Sequence, residues 1–236
     1  KLIHTSEKQI QRGILSNGLK YAIYPVDTRD DRIYATLNID FGDEKSLFNQ
    51  AQTIEFMTYL LLRGSEKYNL QDIMDKSIEL DGKAVTHNTR NSISINISAK
   101  KENFAEYFQF IVDVIKNPSF DQKEFDLLKS QSLQNLDRPY TEPDVVTELT
   151  LSKLIEQYEE GDLRYHFDPD LVKRQVQKIT NDDVKALYKK FFAMNNAQVA
   201  ITGQVQDINA LQLVENNFIN WNNTEKFAPV LPRYEA

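Results

Sequence analysis

From Ile33 to Phe41 the chain alternates without a break. Ile33, Ala35, Leu37, Ile39 and Phe41 are apolar, and Tyr34, Thr36, Asn38 and Asp40 separate them. A period of two puts every apolar side chain on one face of a strand. Such a strand needs a hydrophobic layer on that face and tolerates water on the other, the mark of an antiparallel sheet covered on one side. Residues 92–100 repeat the pattern with Ile93, Ile95 and Ile97, and residues 83–89 do so more weakly. Near the start, two apolar-rich runs at 10–15 and 19–25 are joined by Ser16-Asn17-Gly18. Asn-Gly between two such runs predicts a hairpin. A charged turn over 27–31 then leads into the alternating strand, and a last strand is expected over 196–203.

Helical spacing fills the gaps between these strands. Ser46 is a candidate cap for a helix running to about Leu62. Within it, Ala51, Ile54, Met57, Thr58 and Leu61 form an apolar stripe, and Gln52, Glu55, Phe56 and Tyr59 an adjacent mixed one. A second helix over 70–80 stops at Asp81-Gly82. Phe104, Tyr107, Phe108, Ile111, Val112 and Ile115 make the apolar face of a third, which Asn117-Pro118 ends. A fourth spans 121–137, is broken at Arg138-Pro139, and a fifth resumes over 142–158. Asp168-Pro169 opens a short helix, and Thr180 with Asp183 forms a capping box before 184–192. A last helix is expected over 208–218. The order predicts an α+β fold, a mainly antiparallel sheet with helices packed on one side. It reads as a single domain over 1–220, followed by a polar, Pro-containing, linker-like tail over 221–236.

Composition narrows the function. The 236 residues are 41% hydrophobic and 27% charged, ordinary for a globular chain. The net charge is −7 and the basic residues are scattered, which argues against a nucleic-acid partner. No window approaches the apolar length of a membrane span. The first residues lack the apolar core of a signal peptide. The chain begins with Lys1, so it reads as an excised domain or a processed product, with any signal sequence outside it. Cysteine is absent, which excludes disulfides and thiolate metal sites. His4, His87 and His166 lie far apart in sequence and form no HxxH or HxH pair. A catalytic zinc needs three protein ligands, and isolated polar or turn histidines are the simpler reading.

One stretch resembles a catalytic helix without its catalytic residues. Residues 49–65 read NQAQTIEFMTYLLLRGS, after a strand ending in FGDEKS. With LSNGLK at 15–20, NIDFGDEKSL at 38–47, LLLRGSEKY at 60–68 and PSFDQKEFDLLKSQSLQNL at 118–136, it resembles the insulinase/pitrilysin/mitochondrial processing peptidase family of inverzincin zinc peptidases. The resemblance runs from about Gln11 to Trp221, and it rests on the order and spacing of these motifs. It implies the metallohydrolase domain fold of the processing peptidases. In active members the helix carries His-x-x-Glu-His, two zinc ligands and a general base. Here those five positions read Gln52-Thr53-Ile54-Glu55-Phe56. The third ligand, a Glu in active members, falls on Asn135. Neutral amides are poor zinc ligands and Phe56 offers no ligand atom, so no metal or cofactor is expected in this chain. Without zinc, a water beside Glu55 keeps its ordinary pKa, and Glu55 reads as a structural or surface carboxylate.

Family members combine two or four copies of this domain, with a zinc-bearing copy facing a copy that lacks the metal. The motifs here are most similar to the non-catalytic later domain of bacterial members. That implies a zinc-bearing catalytic partner, on the same chain or on another subunit, a peptide substrate, and a periplasmic location. The chain alone is then expected to be inactive, part of a zinc metalloendopeptidase. The resemblance assigns substrate binding to Arg164 and Tyr165 in the segment GDLRY at 161–165, since guanidinium and phenol both donate to a peptide carbonyl or a developing oxyanion. In this reading the chain closes the substrate chamber and binds extended peptide, in part by adding it as a strand to a sheet edge. The alternative is a scaffold or interaction module that kept the fold and lost peptidase work. A hydrolase with a different site finds no support, because no Ser-His-Asp or Cys-His arrangement is present.

Overall fold

The computed structural model describes residues 10–28, 30–138 and 141–232. His4, Arg29, Pro139 and the last four residues lie outside them, so the amino-terminal segment, part of the 27–31 turn and the Pro139 break are not described. In chain order the elements are β1 (Gln11–Ile14), β2 (Lys20–Pro25), β3 (Arg32–Asp40), α1 (Ala51–Leu60), α2 (Leu70–Glu79), β4 (Lys83–Thr89), β5 (Ser92–Lys100), α3 (Lys101–Lys116), α4 (Gln122–Leu136), α5 (Pro143–Leu154), α6 (Pro169–Lys178), α7 (Asn181–Phe191), β6 (Ala197–Gly203) and α8 (Ala210–Phe218).

The strands form one six-stranded sheet in the order β1-β2-β6-β3-β5-β4. Only β2 and β6 pair in parallel; the other neighbours are antiparallel. Register puts Leu37 beside Ile95 and Val199, and Ala35 beside Ile97 and Ile201. These side chains are buried, and α3 and α8 cover them with Phe104, Phe108, Ile111, Val214 and Phe218. Phe108 and Phe218 meet edge to face with ring centroids 5.9 Å apart. Each fully buried Ile, Leu or Phe of this layer contributes roughly 1.5–3 kcal/mol of transfer free energy. The opposite face carries short polar side chains that pair across strands, with Thr36 Oγ1 donating to Asn96 Oδ1 at 2.9 Å and Ser94 Oγ to Asn38 Oδ1 at 2.5 Å.

Local chemistry fixes most boundaries. Gly18 takes φ of +96° in the hairpin turn, a conformation glycine adopts without strain, and Asn17 Nδ2 donates to Phe218 O at 2.7 Å, tying the turn to the end of α8. Asp168 caps α6 through two backbone N–H groups with Pro169 in the first turn, and Thr180 and Asp183 close a capping box on α7.

Three expectations change. Ser46 does not cap α1. It exchanges hydrogen bonds with Asp43 in a separate turn, and Asn49 at φ of +62° breaks the chain before the helix begins at Ala51. The fifth helix stops at Leu154 rather than near Tyr158. There Glu156 turns its carboxylate back onto the N–H groups of Gln157 and Tyr158, a local bond that competes with the helix. Finally, the segment from Trp221 to residue 232 has no helix or strand, yet it is docked. Trp221 Nε1 donates to Phe192 O, Ala228 N to Gly42 O, Asn91 Nδ2 to Ala228 O, and Val230 is buried.

Candidate functional site

Helix α1 lies across the structure between α7, α4 and β4. Thr86 Oγ1 on β4 donates to the carbonyl of Thr58 at 2.8 Å and fixes the helix against the sheet edge. Ile54, Phe56, Met57 and Leu60 are buried. Phe56, placed by sequence on the mixed stripe, is 1% exposed and packs against Phe125 of α4 with ring centroids 5.5 Å apart. The mixed stripe is therefore core at Phe56, because α4 closes over it. Gln52 is half-buried, whereas Glu55 is open to water along its outer edge. The atoms around Glu55 still remove enough water to push its carboxyl pKa up, by desolvation.

Asn135 lies on α4. Phe125, Leu128, Leu133 and Leu136 of α4 pack on the core, and Asn135, near the end of the helix, is exposed. At 1.5 Å of rise per residue it also lies about 15 Å along the helix from Phe125. The start of α4 is tied to the turn that follows α1, by Arg63 and Glu124 at 2.8 Å. Two amides and a buried phenyl ring do not fit zinc. Among the described residues no group of three or more His, Cys, Asp or Glu side chains is placed to hold a metal ion. His87 is exposed on β4, and His166 pairs with Glu156.

Beside Gln52 a cavity of about 510 Å³ opens between the start of α1 and the helices α6 and α7. Asn49, Gln50, Gln52 and Thr53 line one wall, Arg174, Gln175 and Lys178 the other. Sequence reading did not single out Thr53, Arg174 or Lys178 for a role. The available signals were the uncapped start of α1, where Gln50 makes no side-chain cap and no acid follows in the first turn, and the i,i+4 spacing of the two cations.

The loop from α5 to α6 carries Arg164 and Tyr165. Arg164 points inward, its side chain 4% exposed. Nε donates to Asp162 Oδ1 at 2.8 Å, Nη2 to Asp162 Oδ2 at 2.5 Å and to Glu44 at 2.8 Å, and Nη1 to the carbonyl of Leu231 at 3.0 Å. The guanidinium also sits 4.6 Å from the centre of the Tyr158 ring. The hydrogen bonds to Asp162 hold it charged and push its pKa up. Each of its nitrogens already has a protein acceptor, so Arg164 is a clamp joining this loop, the turn at Glu44 and the carboxy-terminal segment. Gly161, at φ of +106°, lets the loop pass Asn49, whose side chain a Cβ would strike at 2.4 Å. Tyr165 is half-buried and packs on His166 at 4.3 Å. Burial, then the charges of Glu160, Asp168 and Glu156, push its phenol pKa up, so it stays a donor at neutral pH.

A family model described as insulinase, peptidase family M16, matches residues 23–165, more than half of the chain. The chain belongs to the insulinase family of peptidases. A second model, the peptidase M16 inactive domain, matches residues 178–236, so this member carries the family's non-catalytic signature over α7, β6, α8 and the docked tail. No curated protein matches the chain.

Solved structures agree on the fold of this insulinase-family chain. It is similar to the periplasmic protease PqqL from Escherichia coli, with a TM-score of 0.78 at 16% identity over 96% of this chain and 26% of that one. A protease from Helicobacter pylori gives 0.76 at 15% over 95% and 53%. The peptidase M16 inactive domain from Pseudomonas fluorescens gives 0.76 at 15% over 93% and 53%. The chain thus spans between about a quarter and about half of these structures. Of the two positions where the resemblance implies metal-binding histidines, Gln52 lines the cavity and Phe56 is in the core.

Proposed function

We propose that this chain is a non-catalytic unit of a zinc metallopeptidase, which closes the substrate chamber and binds extended peptide for a zinc-bearing unit. The observation that carries this is Phe56. Where the family places a metal ligand, this chain places a ring in its core, and the neighbouring helix is packed around it. That is a fold adapted to the loss of the metal. The match to the family's inactive domain supports the same reading.

Helix α5 supports a partner. None of its residues is buried, and Leu151, Leu154 and the adjoining Ile155 are exposed. A helix of this length is marginal in water without a packing surface. The surface belongs to the zinc-bearing unit, for which the solved relatives have room in their longer chains. Tyr165 is the substrate donor of the loop and Arg164 the residue that positions it. We place the assembly in the periplasm, on the likeness to a periplasmic protease.

The test joins this chain to an insulinase-family unit with an intact His-x-x-Glu-His. Zinc-dependent peptide cleavage is expected from the pair and from neither part alone, and Tyr165→Phe is expected to lower the pair's rate about tenfold or more, within the usual worth of a reaction-centre donor. Cleavage by the partner at full rate without this chain sinks the reading and leaves a scaffold module.

A further inference from the structure

The cavity beside Gln52 is the start of a helix with nothing to satisfy it. The first-turn N–H groups of a helix have no partners within it, and they carry partial positive charge. At α1 the cap residue Gln50 makes no side-chain hydrogen bond, and the first turn holds no acid. Asn49, Gln50, Gln52 and Thr53, at and before this turn, form one wall of the cavity. Thr53 is 7% exposed, lines the same cavity, and its hydroxyl has no protein partner among the described residues. The hydroxyl of a residue this little exposed is normally bonded, so one left open on the wall of a polar cavity points to a ligand.

Four charged side chains face this helix start, two of each sign. Arg174 and Lys178 come from α6 and Glu160 and Asp183 from the segments around it. Asp183 is engaged, accepting from the N–H and the hydroxyl of Thr180. Glu160 lies 3.7 Å from Arg174. Lys178 has no acid of its own among the described residues. The carbonyls at the end of α6, which would otherwise attract it, accept from Lys129 Nζ at 2.9 and 2.8 Å. The four charges sum to zero; with Glu160 beside Arg174 and Asp183 held by Thr180, Lys178 is the cation left to meet a ligand opposite the helix start.

We propose that this cavity is a receptor for a peptide carboxylate. The N–H groups of the first turn of α1 and the Thr53 hydroxyl donate to the carboxylate oxygens, and Lys178 and Arg174 balance the charge. The amides of Gln50, Gln52 and Gln175 serve the adjoining peptide groups, since each carries both a donor and an acceptor. The volume suits a chain end of a few residues. The proposal rests on the reading of this protein as a peptide binder, and it makes the former metal helix an anion site.

The experiment titrates the purified chain calorimetrically with three peptides of one otherwise neutral sequence: a free acid, its carboxamide, and a carboxamide with one internal Glu. The free acid is expected to bind at least about tenfold tighter than the plain carboxamide. The Glu peptide shows whether a side-chain carboxylate serves as well, and either carboxylate outranking the plain amide supports the site. Arg174→Ala with Lys178→Ala is expected to erase the difference. Both residues are exposed, and an unchanged melting temperature excludes a folding defect. Thr53→Val is expected to weaken the carboxylate peptides several-fold and leave the plain amide alone. Equal binding of all three, insensitive to these variants, overturns the carboxylate site and leaves peptide binding elsewhere intact. No binding of any peptide also overturns it, while the chamber reading is judged separately by cleavage in the assembled pair.

Discussion

Arg164 turns its guanidinium away from solvent, and its worth is therefore structural. Replacing it with Ala leaves Asp162, whose side chain is 7% exposed, without its two charged hydrogen bonds. The expected loss is about 2 kcal/mol, within the range for hydrogen bonds to charged groups, read as a shift in the urea midpoint at unchanged slope. Lys in its place keeps the charge, but it lacks the fork that serves Asp162, Glu44 and Leu231 together, so partial recovery is expected. The Gly-Asp-Leu-Arg-Tyr run showed that a donor was present. It did not show which way the donor points, because Glu44 and Leu231 are brought to it only by the fold. Glu156 gives a pH signature. Burial pushes its carboxyl up, but the N–H groups of His166, Tyr158 and Gln157 and the His166 ring outweigh this, and the folded pKa is lowered. A lowered folded pKa contributes stability that is complete above the ordinary carboxylate value, about 4.3. It is lost as pH falls through that value toward the folded one. Glu156→Gln is therefore expected to be less stable than the parent at pH 7, with the gap closing as the pH drops below about 4, followed by urea midpoints at each pH.

At the scale of elements, helix α1 decides whether a metal site can be built at the motif positions that the resemblance implies. Gln52→His with Phe56→His restores the spacing of the family motif but not its surroundings. Phe56 fills a core position against Phe125, and a polar ring there costs about 2–4 kcal/mol in packing and desolvation. Adding Asn135→Glu puts a carboxylate at an exposed position near the end of α4 and leaves the core position at Phe56 unrepaired. Zinc is expected at well below one equivalent after dialysis, by elemental analysis; a full equivalent that resists mild chelation would refute this account of α1 and α4. Much at this scale was legible in advance. The strict alternation of β3 and β5 could bury only one face, the Asn17-Gly18 turn could join only adjacent strands, and Thr180 with Asp183 marked where α7 begins. The misreadings share a cause. Ser46 has the chemistry of a cap but had a nearer partner in Asp43, and the fifth helix gave way to a carboxylate bonding its own backbone. Competition between two local hydrogen bonds is settled by backbone geometry, which periodicity does not encode. The α1 cavity was illegible for a different reason: its walls come from α1, α6 and α7, and its informative feature is a cap that is missing.

For the whole molecule, the question is why an otherwise well-packed chain leaves one helix outside its core. The sheet, α1, α3, α7 and α8 share a continuous set of buried side chains, and the tail is drawn onto it by Asn91, Gly42 and Arg164. Helix α5 contributes nothing to that set. Leu154 and Ile155 are 78% and 70% exposed, so the apolar surface they carry is neither stabilising here nor needed for this fold. Replacing Leu151, Leu154 and Ile155 with Ser is therefore expected to move the stability of the isolated chain by no more than about 1 kcal/mol, the behaviour of substitutions away from packed features. In the pair with a zinc-bearing unit the same substitutions expose polar groups to an apolar surface. Assembly, followed by size-exclusion chromatography, and peptide cleavage are expected to fall together. If the isolated chain instead loses several kcal/mol, α5 is held by the domain itself; if assembly is untouched, the partner covers another surface. A helix that costs nothing to alter in isolation and everything in the pair would be maintained for the partner, and that separation distinguishes a chamber half from a self-sufficient scaffold.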